Sequence, residues 1–236
     1  MQRYDEMTQN ISLPDVTLIA VSSVDLDKTQ LALKISSWEI NFAAIKFLSN
    51  GLPSQRIEGI EYVSIRPLNF LEYSRFILEE LHQHVDTSHC LIVQADGFAL
   101  NADLWRDEFL EYDYVGAPWD ESVNLGAEGR KVADLLLSKN RVGNGGFSLR
   151  SKKLLELTAQ INFNALDYQT KSEDLIICHY LYDEMIANGI RFAPPELAAR
   201  FSIESTKNLY GQDLNSAFGF HGKHWLPLIF GDSAQK

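Results

Sequence analysis

The chain has 236 residues, 45% of them hydrophobic and 11% aromatic, enough apolar material to close one sizeable core. A net charge of −11 argues against a generic polyanion-binding surface, so nucleic acid is not an expected partner. No apolar run approaches the ~20 residues that span a bilayer, and the start MQRYDEMTQNISLPDV has neither a basic nor an apolar leader region. A cytoplasmic protein is expected, with membrane association at most peripheral. Cys90 and Cys178 sit in apolar stretches without C-x-x-C spacing, which reads as two buried thiols rather than a disulfide or zinc site.

Val16 to Ser22 (VTLIAVS) is a β-branched apolar run, the mark of a strand buried on both faces. From Asp27 to Leu48, apolar residues at Leu31, Ile35, Trp38, Phe42 and Ile45 recur every three or four positions. That spacing predicts one amphipathic helix, with Gly51 just past its end. A strand over Ile60 to Ile65 and a helix from about Asn69 to His84 follow. HCLIVQADGF supplies a third strand, whose polar end at Gln94 to Gly97 is where an open α/β sheet presents ligand groups. The alternation then becomes irregular. YDYVGAPW reads as a strand, and Asp120 to Lys139 as an inserted flap containing a short helix, VADLLL. The Gly-rich VGNGGFSLRS, a helix SKKLLELTAQI and a helix from Ser172 to Asn188 closed by Gly189 complete the pattern. With no repeat or low-complexity linker, one domain over residues 1–236 is expected, its core about 16–225.

Four places carry groups suited to chemistry. Asp96, in Gln94-Ala95-Asp96, is a strand-end carboxylate able to hold a divalent ion, although Asp-Gly is also a common turn. Glu173 and Asp174 follow Ser172 at a helix start, where carboxylates are favoured by the dipole and where one near a ligand can act as general base. Position alone leaves both readings open. VGNGGFSLRS has three glycines in four positions, permitting positive φ and close backbone approach, but Ser148 falls where a dinucleotide fingerprint needs its last glycine. His221 and Lys223, in FGFHGKHW, join a metal-binding imidazole to a phosphate-binding cation, with Phe220 and Trp225 nearby to exclude water.

Taken together, VQADGF, YVGAPW, VGNGGFSLRS, SEDLIICHYL and FGFHG resemble the GT-A fold of nucleotide-sugar glycosyltransferases, in particular a bacterial group with a galactosyltransferase-like domain. The resemblance spans roughly Val16 to Trp225 and implies an α/β, Rossmann-like domain whose central sheet is mostly parallel and flanked by helices. It implies transfer of a sugar, of the hexosyltransferase type, from a nucleotide diphosphate donor such as a UDP-sugar to a hydroxyl of a glycan or glycolipid in polysaccharide biosynthesis.

Its D-x-D element falls on Gln94-Ala95-Asp96, with Gln94 replacing the first acid, so dependence on manganese or magnesium rests on Asp96 and His221 alone. Asp174 becomes the base of an inverting displacement, with Glu173 the second choice. Val21, Ser22 and Ser23 contact the nucleotide, Gln94 and Asp96 the donor, Gly145 and Gly146 the sugar, and Lys223 the leaving diphosphate. Trp119 either stacks on the acceptor or fills the core. The flap is expected to order over the donor. Because of Gln94, a non-catalytic module that keeps the fold and binds a nucleotide or glycan is the principal alternative. A nucleotide-dependent oxidoreductase or nucleotidyltransferase sharing only a doubly wound sheet is the other.

Overall fold

The computed structural model describes residues 10–123, 135–137, 139–207 and 209–231. Strand β1 (Ile11–Ser22) is followed by helix α1 (Leu26–Ser36) and strands β2 (Ile40–Ser49) and β3 (Glu61–Ser64). Helix α2 (Phe70–Glu79) precedes β4 (His89–Ile92), β5 (Gly97–Ala99), β6 (Tyr114–Gly116), β7 (Ser122–Val123), β8 (Leu135–Leu136) and β9 (Ser148–Ser151). Helices α3 (Lys152–Thr158), α4 (Glu173–Leu175), α5 (Tyr182–Ala187) and α6 (Pro195–Phe201) lead to β10 (Ser202–Ile203), β11 (Gly219–His221) and α7 (Leu226–Phe230).

Six strands form the central sheet in the order β3-β2-β1-β4-β9-β6. Only β9 runs against the others, pairing antiparallel with both β4 and β6. The expected mostly parallel α/β sheet is therefore present. Alternate residues of β1 feed opposite faces: Val16, Leu18 and Ala20 join one buried cluster, Ile19 and Val21 the other. In β4 the same period of two sends Leu91 and Val93 one way, Cys90 and Ile92 the other. Both cysteines are buried free thiols, and burial pushes that of Cys90 up to about 12. A second sheet, β10-β11-β5, stands at the carboxyl end of β4 and carries His221 to the sheet edge.

Three expectations need correction. The helix predicted across Asp27 to Leu48 stops at Ser36, and its second half is strand β2, paired in parallel with β1. Period alone misled there. Leu31 and Trp38, two of the five residues that set the supposed stripe, are 45% and 73% exposed, whereas Ile40, Phe47 and Leu48 are buried by sheet pairing. Within VADLLL, the described Leu135 and Leu136 form a strand against Ser122 and Val123 rather than a helix. Residues 124–134 and 138 of the expected flap lie outside the described residues. Finally, the helix from Ser172 is broken by a π-helical turn at Ile176–Tyr180, with Leu181 N–H donating to the Ile176 carbonyl at 2.9 Å. The wider turn leaves the Cys178 carbonyl free to accept from Asn140 Nδ2 at 3.1 Å.

Candidate active site

The carboxyl ends of β1 and β4, the loop before β9, the start of α4 and the end of β11 enclose a cleft of about 510 Å3. It gathers Val21, Ser22, Ser23, Gln94, Asp96, Gly145, Gly146, Glu173, Asp174, His221 and Lys223, separated by up to two hundred positions in sequence. Trp119 is the exception among the predicted residues. Its buried ring occupies the space a Cβ on Gly143 would need, and it borders a neighbouring cavity of about 400 Å3 with Asp120, Ser122 and Thr206. Glu204 lines both cavities.

At the β4 end the chain turns tightly, Gln94 and Gly97 exchanging backbone hydrogen bonds at 2.9 and 3.1 Å. The turn and the metal-site reading of Asp96 are thus compatible, because the turn presents the Asp96 carboxylate to the cleft while its carbonyl accepts from Gly222 N–H at 2.7 Å. Gln94 also lines the cleft, its Nε2 donating to the Tyr73 hydroxyl at 2.8 Å while its Oε1 lies toward Gly146. Burial first, then the Glu173 charge, raises the Tyr73 phenol, so it stays protonated. At the β1 end, Ser23 Oγ accepts from Leu68 N–H at 2.8 Å and Ser22 Oγ donates to the Val24 carbonyl, so both hydroxyls shape this wall of the cleft.

The NGG loop differs from expectation in its backbone. The left-handed residue is Asn144, at φ 63°, a conformation asparagine tolerates, and not one of the glycines. The glycines are needed for packing instead. A Cβ on Gly145 would lie 1.9 Å from Glu173 Oε1, and one on Gly146 would lie 2.1 Å from His221 Nε2. This loop is therefore pressed between the two sets of side chains that carry the chemistry.

The adjacent carboxylates at the α4 start have different fates. Glu173 is buried and paired with Arg150, whose Nη2 donates to Oε1 at 2.9 Å. Burial, then the neighbouring Asp174 charge, pushes the Glu173 carboxyl up, while Arg150 pulls it back. Arg150 is itself fully buried, held by Ser148 Oγ and set over the Tyr114 ring, with Nη1 lacking a hydrogen-bond partner among the described residues. Asp174 is partly buried in the wall of the cleft. Ser172 Oγ and Leu175 N–H donate to Oδ1 at 2.5 and 2.7 Å, and Gly145 N–H to Oδ2 at 3.0 Å, fixing the carboxylate while Oδ2 keeps accepting capacity.

His221 faces Asp96, with Nε2 3.7 Å from Oδ1, and on its other side Nδ1 lies 3.3 Å from Glu204 Oε1 and 2.8 Å from Asn144 Nδ2. Burial alone would favour the neutral ring, but Glu204, then Asp96 and Asp174, outweigh it and raise the imidazole above its ordinary value. Lys223 forms no ion pair among the described residues. Sequence reasoning missed Glu204, Asn144, Arg150 and Tyr73. Asn144 and Arg150 lay inside VGNGGFSLRS, where the glycines drew the attention. Glu204, in the unremarkable FSIE, becomes visible once β10 is paired in parallel with β11, since one residue beyond the Ile203↔Phe220 pair lies opposite His221.

The mostly parallel six-stranded sheet, with a cleft at its carboxyl edge and a loop packed between Glu173 and His221, has a GT-A architecture. An active-site mutant of the galactosyltransferase LgtC has the same fold, at a TM-score of 0.50 and 14% identity over 87% of this chain and 86% of that one. A glycosyltransferase involved in glycosylation of the major capsid of PBCV-1 aligns at 0.45 and 11% identity, over 87% and 91%. The apo-form glycosyltransferase GlyE of Streptococcus pneumoniae TIGR4 gives 0.45 and 11%, over 88% and 54%. The chain belongs to the family described as protein of unknown function DUF5672, which matches residues 61–221. No curated protein matches it. Among the described residues, no helix is long and apolar enough to cross a membrane.

Proposed function

We propose that this protein is a glycosyltransferase that moves a hexose from a nucleotide diphosphate donor, UDP-linked, to a hydroxyl of a glycan or glycolipid. The observation that carries this reading is the convergence of Asp96, His221, Lys223, the NGG loop and Asp174 on one cleft at the carboxyl edge of the sheet.

The residues fit a divalent cation. Asp96, Glu204 and Asp174 together favour positive charge at His221, and the Nε2 edge of the ring faces Asp96. Among the described residues no three His, Cys, Asp or Glu side chains cluster as a complete metal site, so the donor's phosphates and water would complete the coordination. Bound there, manganese or magnesium would supply Lewis-acid stabilisation of the diphosphate. Lys223 stabilises the same developing charge, which grows as the sugar–phosphate bond breaks and is therefore bound more tightly in the transition state.

Val21 to Ser23 receive the nucleotide. Asp174, oriented by three donors, accepts the proton of the acceptor hydroxyl as that oxygen attacks the anomeric carbon, giving inversion in one displacement. Glu173 keeps a supporting role through Arg150. The acceptor enters from the second cavity, bordered by Trp119 and joined to the first at Glu204. Gln94 in place of the first acid, its amide engaged with the Tyr73 hydroxyl, leaves one carboxylate in the metal element and favours a second reading: a module that binds a nucleotide or glycan without turnover.

The two readings are separated by Asp174→Asn. With a panel of nucleotide sugars and acceptors, the wild-type protein should release nucleoside diphosphate, and the variant should lose ~10²–10⁴-fold in rate while donor affinity is kept. Equal loss of rate and donor binding would contradict the base role, and donor binding by a wild-type protein that never turns over would favour the second reading.

A further inference from the structure

The loop that carries Asn144, Gly145 and Gly146 is held along one edge by the chain beyond β6. Trp119 N–H donates to the Arg141 carbonyl at 2.6 Å, Gly143 N–H donates to the Ala117 carbonyl at 3.2 Å, and Val142 bridges Pro118. Along its other edge runs the helical segment that starts with Glu173 and Asp174. In the cleft, Gly145 N–H crosses that seam to Asp174 Oδ2 at 3.0 Å. In the buried interior, Asn140 Nδ2 crosses it to the Cys178 carbonyl at 3.1 Å. The second contact lies earlier along the loop and about one turn further along the helix, so the two together hold the segments in one register.

Asn140 is made for this single placement. Its Nδ2 also donates to the Val142 carbonyl at 2.6 Å, while its Oδ1 accepts from Val142 N–H at 3.1 Å. Turning the amide over would set Oδ1 against two carbonyls, so the partners fix its orientation. The helix is altered to receive it. In an unbroken α-helix Leu181 N–H would bond the Ile177 carbonyl, but in the π-helical turn it reaches back to Ile176, and the Cys178 carbonyl accepts from a side chain of another segment. Lys139, the neighbour of Asn140, pairs with Asp183 at the surface, where solvent weakens the attraction.

We infer that Asn140 is a positioning residue for the contact between Gly145 and Asp174: through the carbonyl that the π-helical turn exposes, it sets the glycine loop against the helix that carries the carboxylate. Its effect on turnover rests on Asp174 as the base proposed above, whereas the placement itself is tested without substrate. Native-state amide exchange of the whole chain, followed by 15N–1H NMR, compares Gly145 N–H with Val93 N–H, which bonds the Ile19 carbonyl in the central sheet. In Asn140→Leu, Gly145 should exchange about tenfold faster relative to Val93 than in the wild type, because the lost buried bond lets the loop open locally. Lys139→Ala, which removes the exposed ion pair, should leave that ratio unchanged. Asn140→Ala carries the test if the leucine variant does not fold. With a nucleotide sugar, release of nucleoside diphosphate by the Asn140 variant should fall about tenfold while UDP affinity stays at the wild-type value.

Equal acceleration of Gly145 and Val93 would mark a general loss of stability and overturn the assignment. So would a rate of release that is unchanged, or one that falls only in step with UDP affinity. A wild-type protein that never turns over would refute the base reading, and the exchange ratio would still decide whether Asn140 holds the loop.

Discussion

Gly146 illustrates how single positions control this cleft. It has ordinary backbone angles, so conformational freedom does not explain it; the explanation is the 2.1 Å that would separate an added Cβ from His221 Nε2, with Gln94 Oε1 at 2.8 Å. Gly146→Ala should push the His221 ring away from Asp96 and weaken Mn2+ binding at least tenfold, whereas Gly211→Ala, away from the cleft and strained only by its φ of 70°, should lower stability but leave that affinity unchanged. Equal Mn2+ affinity for Gly146→Ala and wild type would show that the ring can give way without cost. At the same scale, the sequence marked Asp96, Asp174, His221 and Lys223 only through the combination and order of their strings, since each string alone also reads as a turn, a helix start or a packed terminal segment. Position could not rank Glu173 against Asp174, because both sit at a helix start; the resemblance put Asp174 first, and the buried Arg150 on β9, paired with Glu173, separates the two carboxylates physically.

The loop before β9 and the start of α4 act as one element. Arg150 on β9 holds Glu173, Glu173 fills the space beside Gly145, and Gly145 N–H holds Asp174. Removing one member of a buried ion pair leaves the other charge unpaired at a cost of about 3–5 kcal/mol. Arg150→Met should therefore lower unfolding free energy by about that amount in urea titrations, and adding Glu173→Gln should recover a large part of it. Additive losses in the double variant would mean that the pair is not coupled. Strands β1, β3 and β4 and helix α2 were legible because β-branched runs and helical period agree with the tertiary packing, and in the structure an Asn69–Glu72 capping box closes the start of α2. Strand β2 was not, because apolar residues spaced three and four apart satisfy a helix while the decisive force, pairing with β1, acts across the chain.

For the molecule as a whole, stability should depend on pH through histidines kept neutral by burial. His89 is buried between Ser88 and the Tyr112 carbonyl, and desolvation lowers it below its ordinary value; His84 and His179 are lowered for the same reason. In the unfolded chain these rings take up a proton near pH 6.5, before the folded protein does. Their contribution is therefore present above about pH 6.5 and lost as the pH falls toward the lower folded values, while the raised His221 acts in the opposite sense. The loss of unfolding free energy between pH 7 and pH 5 should be smaller in His89→Asn than in wild type. Identical slopes would remove His89 from the account.

Calorimetric titration of UDP with and without Mn2+ tests most directly whether the cleft binds a nucleoside diphosphate together with a divalent cation held by Asp96 and His221. Wild-type protein should bind UDP more tightly when Mn2+ is present, and Asp96→Asn should lose that enhancement while retaining the metal-independent part that Lys223 supplies. UDP affinity that ignores Mn2+ in both proteins would contradict the cation site, and no detectable binding of UDP or of any other nucleoside diphosphate would contradict the donor cleft itself.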